Sequence, residues 1–248
     1  MITIIFGNKG TGKTALNTKF FIDGVDDRDS YVDSCDTIMF LNDIGINIPI
    51  PPQEHISYSN YEASDKYGAT SYPLNPYHMC TKNNDGIEYD MYFPGARFHI
   101  MEGQVYWNSR HRINKYASAF FENSRHAGFD IFIDCQRPKL IDLNIRDITD
   151  RFITIIDFSH KYDDSGKILS SKWICLEFPN WSICEKYIDS GDVELGEIVE
   201  FTFDGCIFDY YDSTDNLLLF YDYEKDFDLL DWSMVDKFIT PPKNYYDK

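Results

Sequence analysis

The chain has 248 residues, of which 41 are Asp or Glu and 23 are Lys or Arg, for a formal net charge of -18. A balance this acidic excludes a protein that coats nucleic acid by charge alone, and an aromatic content of 17% argues against a disordered one. A membrane span needs roughly 18 consecutive apolar residues, and the best candidate, Leu217-Leu218-Leu219-Phe220-Tyr221, falls far short of that. The expectation is therefore a soluble chain forming one large α/β domain with a sizeable core. The first residues already read as a strand, which leaves no room for a signal peptide. The cysteines Cys35, Cys80, Cys135, Cys175, Cys184 and Cys206 are scattered without a C-x-x-C pair, so a reducing, cytoplasmic setting is expected.

In chain order, Ile2 to Phe6 is a β-rich apolar run. It leads directly into Gly7-Asn8-Lys9-Gly10-Thr11-Gly12-Lys13-Thr14, and Ala15 to Phe21 then read as a short helix. The octet fits G-x-x-x-x-G-K-[ST] at every fixed position, in the strand–loop–helix setting that gives the pattern its meaning. Glycines let successive N–H groups turn inward, and the helix that follows adds its positive end. Lys13 is expected to reach the β- and γ-phosphates of ATP, and the Thr14 hydroxyl to ligate Mg²⁺.

Gly24 reads as a helix stop, with an acidic loop to Asp36. Thr37 to Leu41 is a short apolar run, and Ile48-Pro49-Ile50-Pro51-Pro52 is a stiff extended connector. His55 to Ser59 reads as a second core strand. Tyr61 to Asp90, with the turn Asn83-Asn84-Asp85-Gly86, reads as an irregular insertion or a small hairpin excursion. Arg97 to Glu102 is a third strand ending on an acid. Ile113, Tyr116, Ala117, Phe120 and Phe121 then mark one apolar helix face. Phe129 to Cys135 is a fourth strand, Lys139 to Asp150 is largely helical, and Arg151 to Phe158 is a fifth strand. After the turn Asp163-Asp164-Ser165-Gly166, Ile168 to Phe178 returns as a long strand. The remainder alternates acidic turns with strand-like runs at Ile198 to Phe203, Cys206 to Tyr210 and Leu217 to Tyr221. The pattern predicts a P-loop core over residues 1–160, with a central, mostly parallel sheet flanked by helices. It also predicts, over residues 161–248, a β-rich, acidic and aromatic extension of the same domain, built of antiparallel strands.

A P-loop enzyme that hydrolyses its nucleotide usually needs a second acidic strand end, to hold Mg²⁺ and to orient water. Ile100-Met101-Glu102-Gly103-Gln104 takes that place, with Met101 where an Asp is usual. Glu102 is the candidate general base. Met101 offers no oxygen to a hydrated Mg²⁺, so Asp134 at the end of the next strand, or Asp130 at its start, is the candidate substitute ligand beside Thr14. Gln136 is placed to bond the γ-phosphate or the water, and Arg110 and Arg125 are candidate arginine fingers that would act on a neighbouring subunit. His99, His111 and His126 lack metal-ligand spacing. Asn114-Lys115-Tyr116-Ala117 lacks the Asp of a guanine-reading N-K-x-D.

Taken together, the strand Arg97–Glu102 followed by Gly103-Gln104 and Ser109-Arg110, then Arg125-His126-Ala127-Gly128-Phe129-Asp130, then Cys135-Gln136-Arg137-Pro138, resemble the zonular occludens toxin (Zot) family, which includes the assembly ATPases of filamentous phages. Phe208-Asp209-Tyr210-Tyr211-Asp212-Ser213 resembles the aromatic element that closes that family's domain. The resemblance implies a P-loop ATPase of the additional-strand class, working as a homo-oligomeric ring. It would power virion assembly, export or DNA movement in the host cytoplasm, alongside phage structural or membrane proteins. In that role Lys13 and Thr14 would hold nucleotide and metal, Glu102 would activate water and Gln136 would sense the γ-phosphate. Two departures stand out: Met101 replaces the metal-orienting Asp, and the family's transmembrane segment is absent, so attachment to the inner membrane would need a partner. Two alternatives remain open: a nucleotide-gated assembly factor with weak or no hydrolysis, and a small-molecule P-loop kinase with Arg110, Arg112 and Arg125 as its lid.

Overall fold

The computed structural model describes residues 1–26, 40, 43, 57–64, 71–74, 76, 81–83, 86–88, 95–110, 113 and 115–212. The strands in chain order are β1 (Ile2–Phe6), β2 (Ser57–Ser59), β3 (Glu62–Ala63), β4 (Tyr72–Pro73), β5 (Thr81–Asn83), β6 (Gly86–Glu88), β7 (Arg97–Ile100), β8 (Asp130–Cys135), β9 (Arg151–Tyr162), β10 (Ile168–Phe178), β11 (Glu197–Asp204) and β12 (Tyr211–Asp212). The helices are α1 (Lys13–Asp26), α2 (Lys115–Asn123), α3 (Leu143–Ile148) and α4 (Trp181–Ser190).

An 8-stranded sheet in the order β11-β10-β9-β1-β8-β7-β2-β4 organises the chain. From β9 to β4 the neighbours run parallel, and β10 and β11 extend the β9 edge antiparallel. The insertion of β8 between β1 and β7 places the end of β8 beside the phosphate loop.

Side-chain parity sorts the core into two layers. On β1, Ile2, Ile4 and Phe6 face one side and Ile5 the other, because successive strand residues alternate. The first set packs with Ile131, Ile133, Phe98, Phe152 and Phe178 under α2, α3 and α4. Ile5 packs with Phe132, Ile153, Trp173 and Met101 under Ala15, Leu16 and Phe20 of α1. Covering both faces explains why β1 is buried at every position and is apolar at all of them but Thr3. This is the P-loop α/β architecture that the sequence predicts, with the antiparallel strands where they were expected.

Several local readings need correction. α1 does not stop at Gly24, which is buried inside it; the Arg97 side chain occupies the space a Cβ there would take and donates from Nη1 to Phe20 O at 3.3 Å. The strand at Arg97 ends at Ile100, and Met101 and Glu102 lie beyond it. Lys139 to Asp150 is largely helical as expected, in two pieces: the end of a 3-10 turn, Pro138–Leu140, and the short α3. β9 runs on past Phe158 to Tyr162. The run at Cys206 to Tyr210 forms a 3-10 turn, Ile207–Tyr210, not a strand. α4 stands where no helix was expected, capped by Asn180, whose side chain accepts from Ile183 N at 3.1 Å, and stopped by the left-handed Gly191 at φ 73.

Within 61–90, β3 pairs with β12, β4 joins the main sheet, and β5 and β6 form a hairpin, so the insertion is partly ordered into strands. The Thr37–Leu41 run (apart from residue 40), the proline connector, His55, His111, Arg112, Asn114, Ser213 and Leu217–Tyr221 lie outside the described residues. Among the described residues, no helix is long and apolar enough to cross a membrane.

Phe98 is fully buried in β7, with ring centroids 5.3 Å from Tyr58, 5.4 Å from Phe120 and 5.1 Å from Phe129. Truncating such a side chain removes its transfer energy and leaves a cavity, so Phe98→Ala should cost about 3–5 kcal/mol. The measurement is a urea melt whose midpoint falls while its slope is unchanged.

Candidate nucleotide-binding site

The phosphate loop joins the C-terminal end of β1 to the first turn of α1. Gly10 and Gly12 take φ of 83 and 85, the left-handed conformation glycine adopts without Cβ strain. The loop is tied to itself through the Asn8 carbonyl, which accepts from Thr11 Oγ1 at 2.9 Å and from Lys13 Nζ at 3.0 Å. Lys13 is only 6% exposed, so its ammonium is held against the loop rather than in water. The Gly12 carbonyl accepts twice, from Leu16 N at 2.9 Å and from Trp173 Nε1 at 3.2 Å.

On β8, parity puts Ile131, Ile133 and Cys135 on one face and Phe132 and Asp134 on the α1 face. Asp134 therefore meets Thr14, the second residue of α1. Thr14 Oγ1 donates to Asp134 Oδ2 at 3.0 Å, and Glu102 N donates to Asp134 Oδ1 at 2.8 Å. Asp134 is completely buried. Burial pushes its pKa up to about 6, with the nearby Glu102 charge adding to the rise; the Glu102 N–H, the Thr14 hydroxyl and Lys13 act the other way.

Glu102 is the only described non-glycine residue with positive φ, at φ 55 and ψ 46. Such strain persists only where the surroundings over-determine it, and here they do. The Met101 peptide before it is clamped by the Asn60 side chain, with Asn60 Nδ2 donating to Met101 O at 2.9 Å and Met101 N donating to Asn60 Oδ1 at 2.8 Å. This amide serves as one more rung beyond β2. The Glu102 carboxylate accepts from Gln104 Nε2, and from Gln136 Nε2 at 3.4 Å. The Met101 side chain is 5% exposed and belongs to the apolar layer beneath α1.

Of the residues singled out in the sequence, Lys13, Thr14, Asp134, Glu102 and Gln136 thus converge on one end of the sheet. Arg110 is exposed on the loop that crosses this same end, where Ser109 N bonds Leu140 O at 2.8 Å. Asp130 and Arg125 do not join the site. Asp130 begins β8 and pairs with the Met1 amino group at 3.2 Å and with Arg97 at 4.0 Å. Arg125 forms an ion pair with Asp150, which immediately precedes β9, at the opposite end of the sheet from the phosphate loop. The length of β8 separates the two ends, about 20 Å at the usual rise per residue. A cleft of about 440 Å³ lies at that opposite end, lined by Ile2, Phe121, Arg125, Asp147, Asp150 and Asn180 rather than by the loop.

His99 is buried, as an ordinary core histidine would be: its Nδ1 lies 2.8 Å from Asn17 Oδ1, its ring stacks on Phe132 at 5.0 Å, and burial holds its pKa down at about 3. Asn60 and Trp173 belong to no motif of the sequence, and Gln104 enters only within the Glu102-Gly103-Gln104 run. Among the described residues, no group of three His, Cys, Asp or Glu could hold an ion unaided. An ion beside Thr14 and Asp134 would draw its other oxygens from phosphate and water, the usual habit of Mg²⁺.

No protein-family model matches this chain, and no curated protein matches it. Among solved structures, the N-terminal domain of zonular occludens toxin from Neisseria meningitidis is 17% identical with a TM-score of 0.47, covering 85% of this chain and 98% of that one. The genome packaging NTPase B204 of Sulfolobus turreted icosahedral virus 2, in complex with ATP-gammaS, is 12% identical with a TM-score of 0.38, covering 80% of this chain and 95% of that one. The DNA-packaging ATPase B204 of Sulfolobus turreted icosahedral virus gives the same identity, score and coverage. The likeness is one of architecture.

The geometry makes two predictions. Asn60→Ala leaves the Met101 N–H and C=O without their buried partner, and should cost about 1–3 kcal/mol by chemical denaturation. The second concerns Asp134, whose folded pKa of about 6 lies above its usual value of 3.8. The folded state then binds more protons than the unfolded state between these values, so stability falls as pH rises through the window. In the ligand-free protein, Asp134→Asn should remove that decline, worth on the order of 3 kcal/mol. Melts from pH 3.5 to 7 on both proteins measure it.

Proposed function

We propose that the chain is a P-loop ATPase of the Zot type that uses hydrolysis of ATP to drive virion assembly, export or DNA movement. One observation carries the hydrolytic reading: the buried Asp134 carboxylate joins the Thr14 hydroxyl to the backbone of Glu102. The helix after the loop and the acidic turn after β7 therefore share one anchor.

Bound Mg²⁺ would supply charge neutralisation at the β- and γ-phosphates. Thr14 Oγ1 and Asp134 are the protein oxygens that would hold it, with Asp134 taking the metal-orienting role that Met101 cannot. Displaced from the Asn8 carbonyl, the Lys13 ammonium pairs with the phosphate oxygens. Glu102 accepts a proton from a water lined up with the γ-phosphorus. As the water oxygen bonds to that phosphorus, the bond to the β–γ bridging oxygen breaks, leaving ADP and inorganic phosphate. Gln136, already beside Glu102, positions the water. The buried Gln104 Oε1, which has no protein partner, is a further acceptor next to it.

The motor role, with its homo-oligomeric ring, phage or membrane partners and DNA, follows from the family resemblance of the Glu102, Arg125–Asp130 and Gln136 blocks. Arg110 is the better-placed finger candidate, since Arg125 is committed to Asp150. The same commitment weakens a kinase lid built on Arg110, Arg112 and Arg125. A second reading, a nucleotide-gated assembly factor without appreciable turnover, is favoured by the apolar Met101.

Phosphate release decides between the two. Glu102→Gln should keep ATP affinity while its kcat falls at least about 100-fold, the range of a lost general base. Lys13→Ala should lose both binding and turnover. Wild-type protein that binds ATP yet releases no phosphate, with or without DNA, would leave the gated assembly factor as the function.

A further inference from the structure

β9 outruns its neighbour. β1 ends at Phe6, paired with Thr154, whereas β9 continues to Tyr162. Beyond Thr154, β9 and β10 form a ribbon that overhangs the phosphate loop. Alternation puts Phe158, His160 and Tyr162 on one face of it. Phe158 sits opposite Trp173 in the ladder and stacks on it at 4.8 Å. Both touch the loop itself: the Phe158 ring fills the space that a Cβ on Gly12 would need, and the Trp173 indole donates to the Gly12 carbonyl.

From this root the rings run outward. His160 lies 4.6 Å from Phe158, Phe208 lies 5.4 Å from His160, and Tyr211 lies 6.1 Å from Phe208. His160 Nδ1 is 3.1 Å from Ser171 Oγ, a contact that sets the plane of the imidazole. The inner ring, Trp173, is fully buried, but Phe208 is 45% exposed and Tyr162 55% exposed. Rings left in water forgo burial energy, and nothing in the hydrolytic chemistry uses them.

We propose that this aromatic shelf is the base subsite of the nucleotide: the base of a triphosphate held at Gly7–Thr14 stacks on Phe208 and His160. The inference rests on the loop's being a triphosphate site. A phosphate chain fixed by the loop keeps its tethered base within a short reach of Gly12, and the Phe158 and Trp173 rings that root the shelf lie in contact with Gly12. Every base offers a π-face, so a platform of this kind holds bases through their rings rather than their edges.

The test uses the full chain with Mg²⁺ and two probes in calorimetry, a β,γ-imido analogue of ATP and inorganic tripolyphosphate. Phe208→Ala should weaken the ATP analogue about tenfold or more, the range of a lost base–aromatic stack, and leave tripolyphosphate unchanged. Phe208→Tyr should restore the affinity, and His160→Ala should repeat the selective loss. Equal affinity of wild type and Phe208→Ala for the ATP analogue would overturn the proposal, as would equal losses for both probes, which would mark Phe208 as a prop of the loop. Such failures leave the loop reading intact as long as Lys13→Ala abolishes binding of both probes. Wild-type protein that binds neither probe sinks the loop reading, and the shelf with it.

Discussion

The structure turns on one buried carboxylate. Asp134 has no exposure to solvent, and it takes a hydrogen bond on each oxygen, one from the start of α1 and one from the turn after β7. A lone carboxylate in such a place is costly to ionise, which is why its pKa rises to about 6. It is tolerable because both oxygens are engaged and the Lys13 ammonium is near. Its position is set by apolar packing elsewhere. Phe132, two residues earlier on the same face, stacks on Phe20 of α1 at 5.1 Å and on His99 at 5.0 Å. Slipping β8 by one residue would send Phe132 and Asp134 to the opposite layer together. The hydrophobic register of the strand thus fixes where the charge stands.

Around this anchor the acidic turn is held in a conformation it would not choose. The left-handed Glu102 is bracketed by the Asn60 amide on the Met101 peptide, by its own N–H on Asp134, and by Gln104 and Gln136 on its carboxylate. The constraint comes from Asn60 and the end of β8, both distant in sequence, and from Gln104 two residues on. Such over-determination is what lets a bulky side chain sit at positive φ, and it presents the carboxylate in a preset direction.

What could be read from the chain follows what is local. The phosphate loop announced itself because its chemistry is contained in eight consecutive residues with a strand before and a helix after. The alternation of apolar strands and helices likewise revealed the parallel sheet, and the turn at Asp163–Gly166 its antiparallel edge. Asp134 could be named only as a substitute, since spacing along the chain does not say that β8, rather than β7, adjoins β1. Arg125 looked like an unattached base because Asp150, its partner, comes 25 residues later. Asn60 carried no signal at all: its role exists only once Met101 is folded against it. α4 did leave traces, a capping Asn180 and a terminating Gly191. The Trp, Ile and Cys between them have weak intrinsic preference for helix, so no strong helix-forming run marks the segment.

The strand order has a consequence for how the molecule is made. β1 is central, yet its partners are far downstream: Ile2 pairs with Ile131 and Thr3 with Arg151. At a synthesis rate of about 5–20 residues per second, β1 waits on the order of 7–30 s for both neighbours to appear. For that interval a run with apolar side chains on both faces has no sheet to enter, and closing so long a loop precedes any reward from pairing. Slow folding, and a need for protection of the nascent chain during that delay, are built into the topology that puts the phosphate loop at the middle of the sheet.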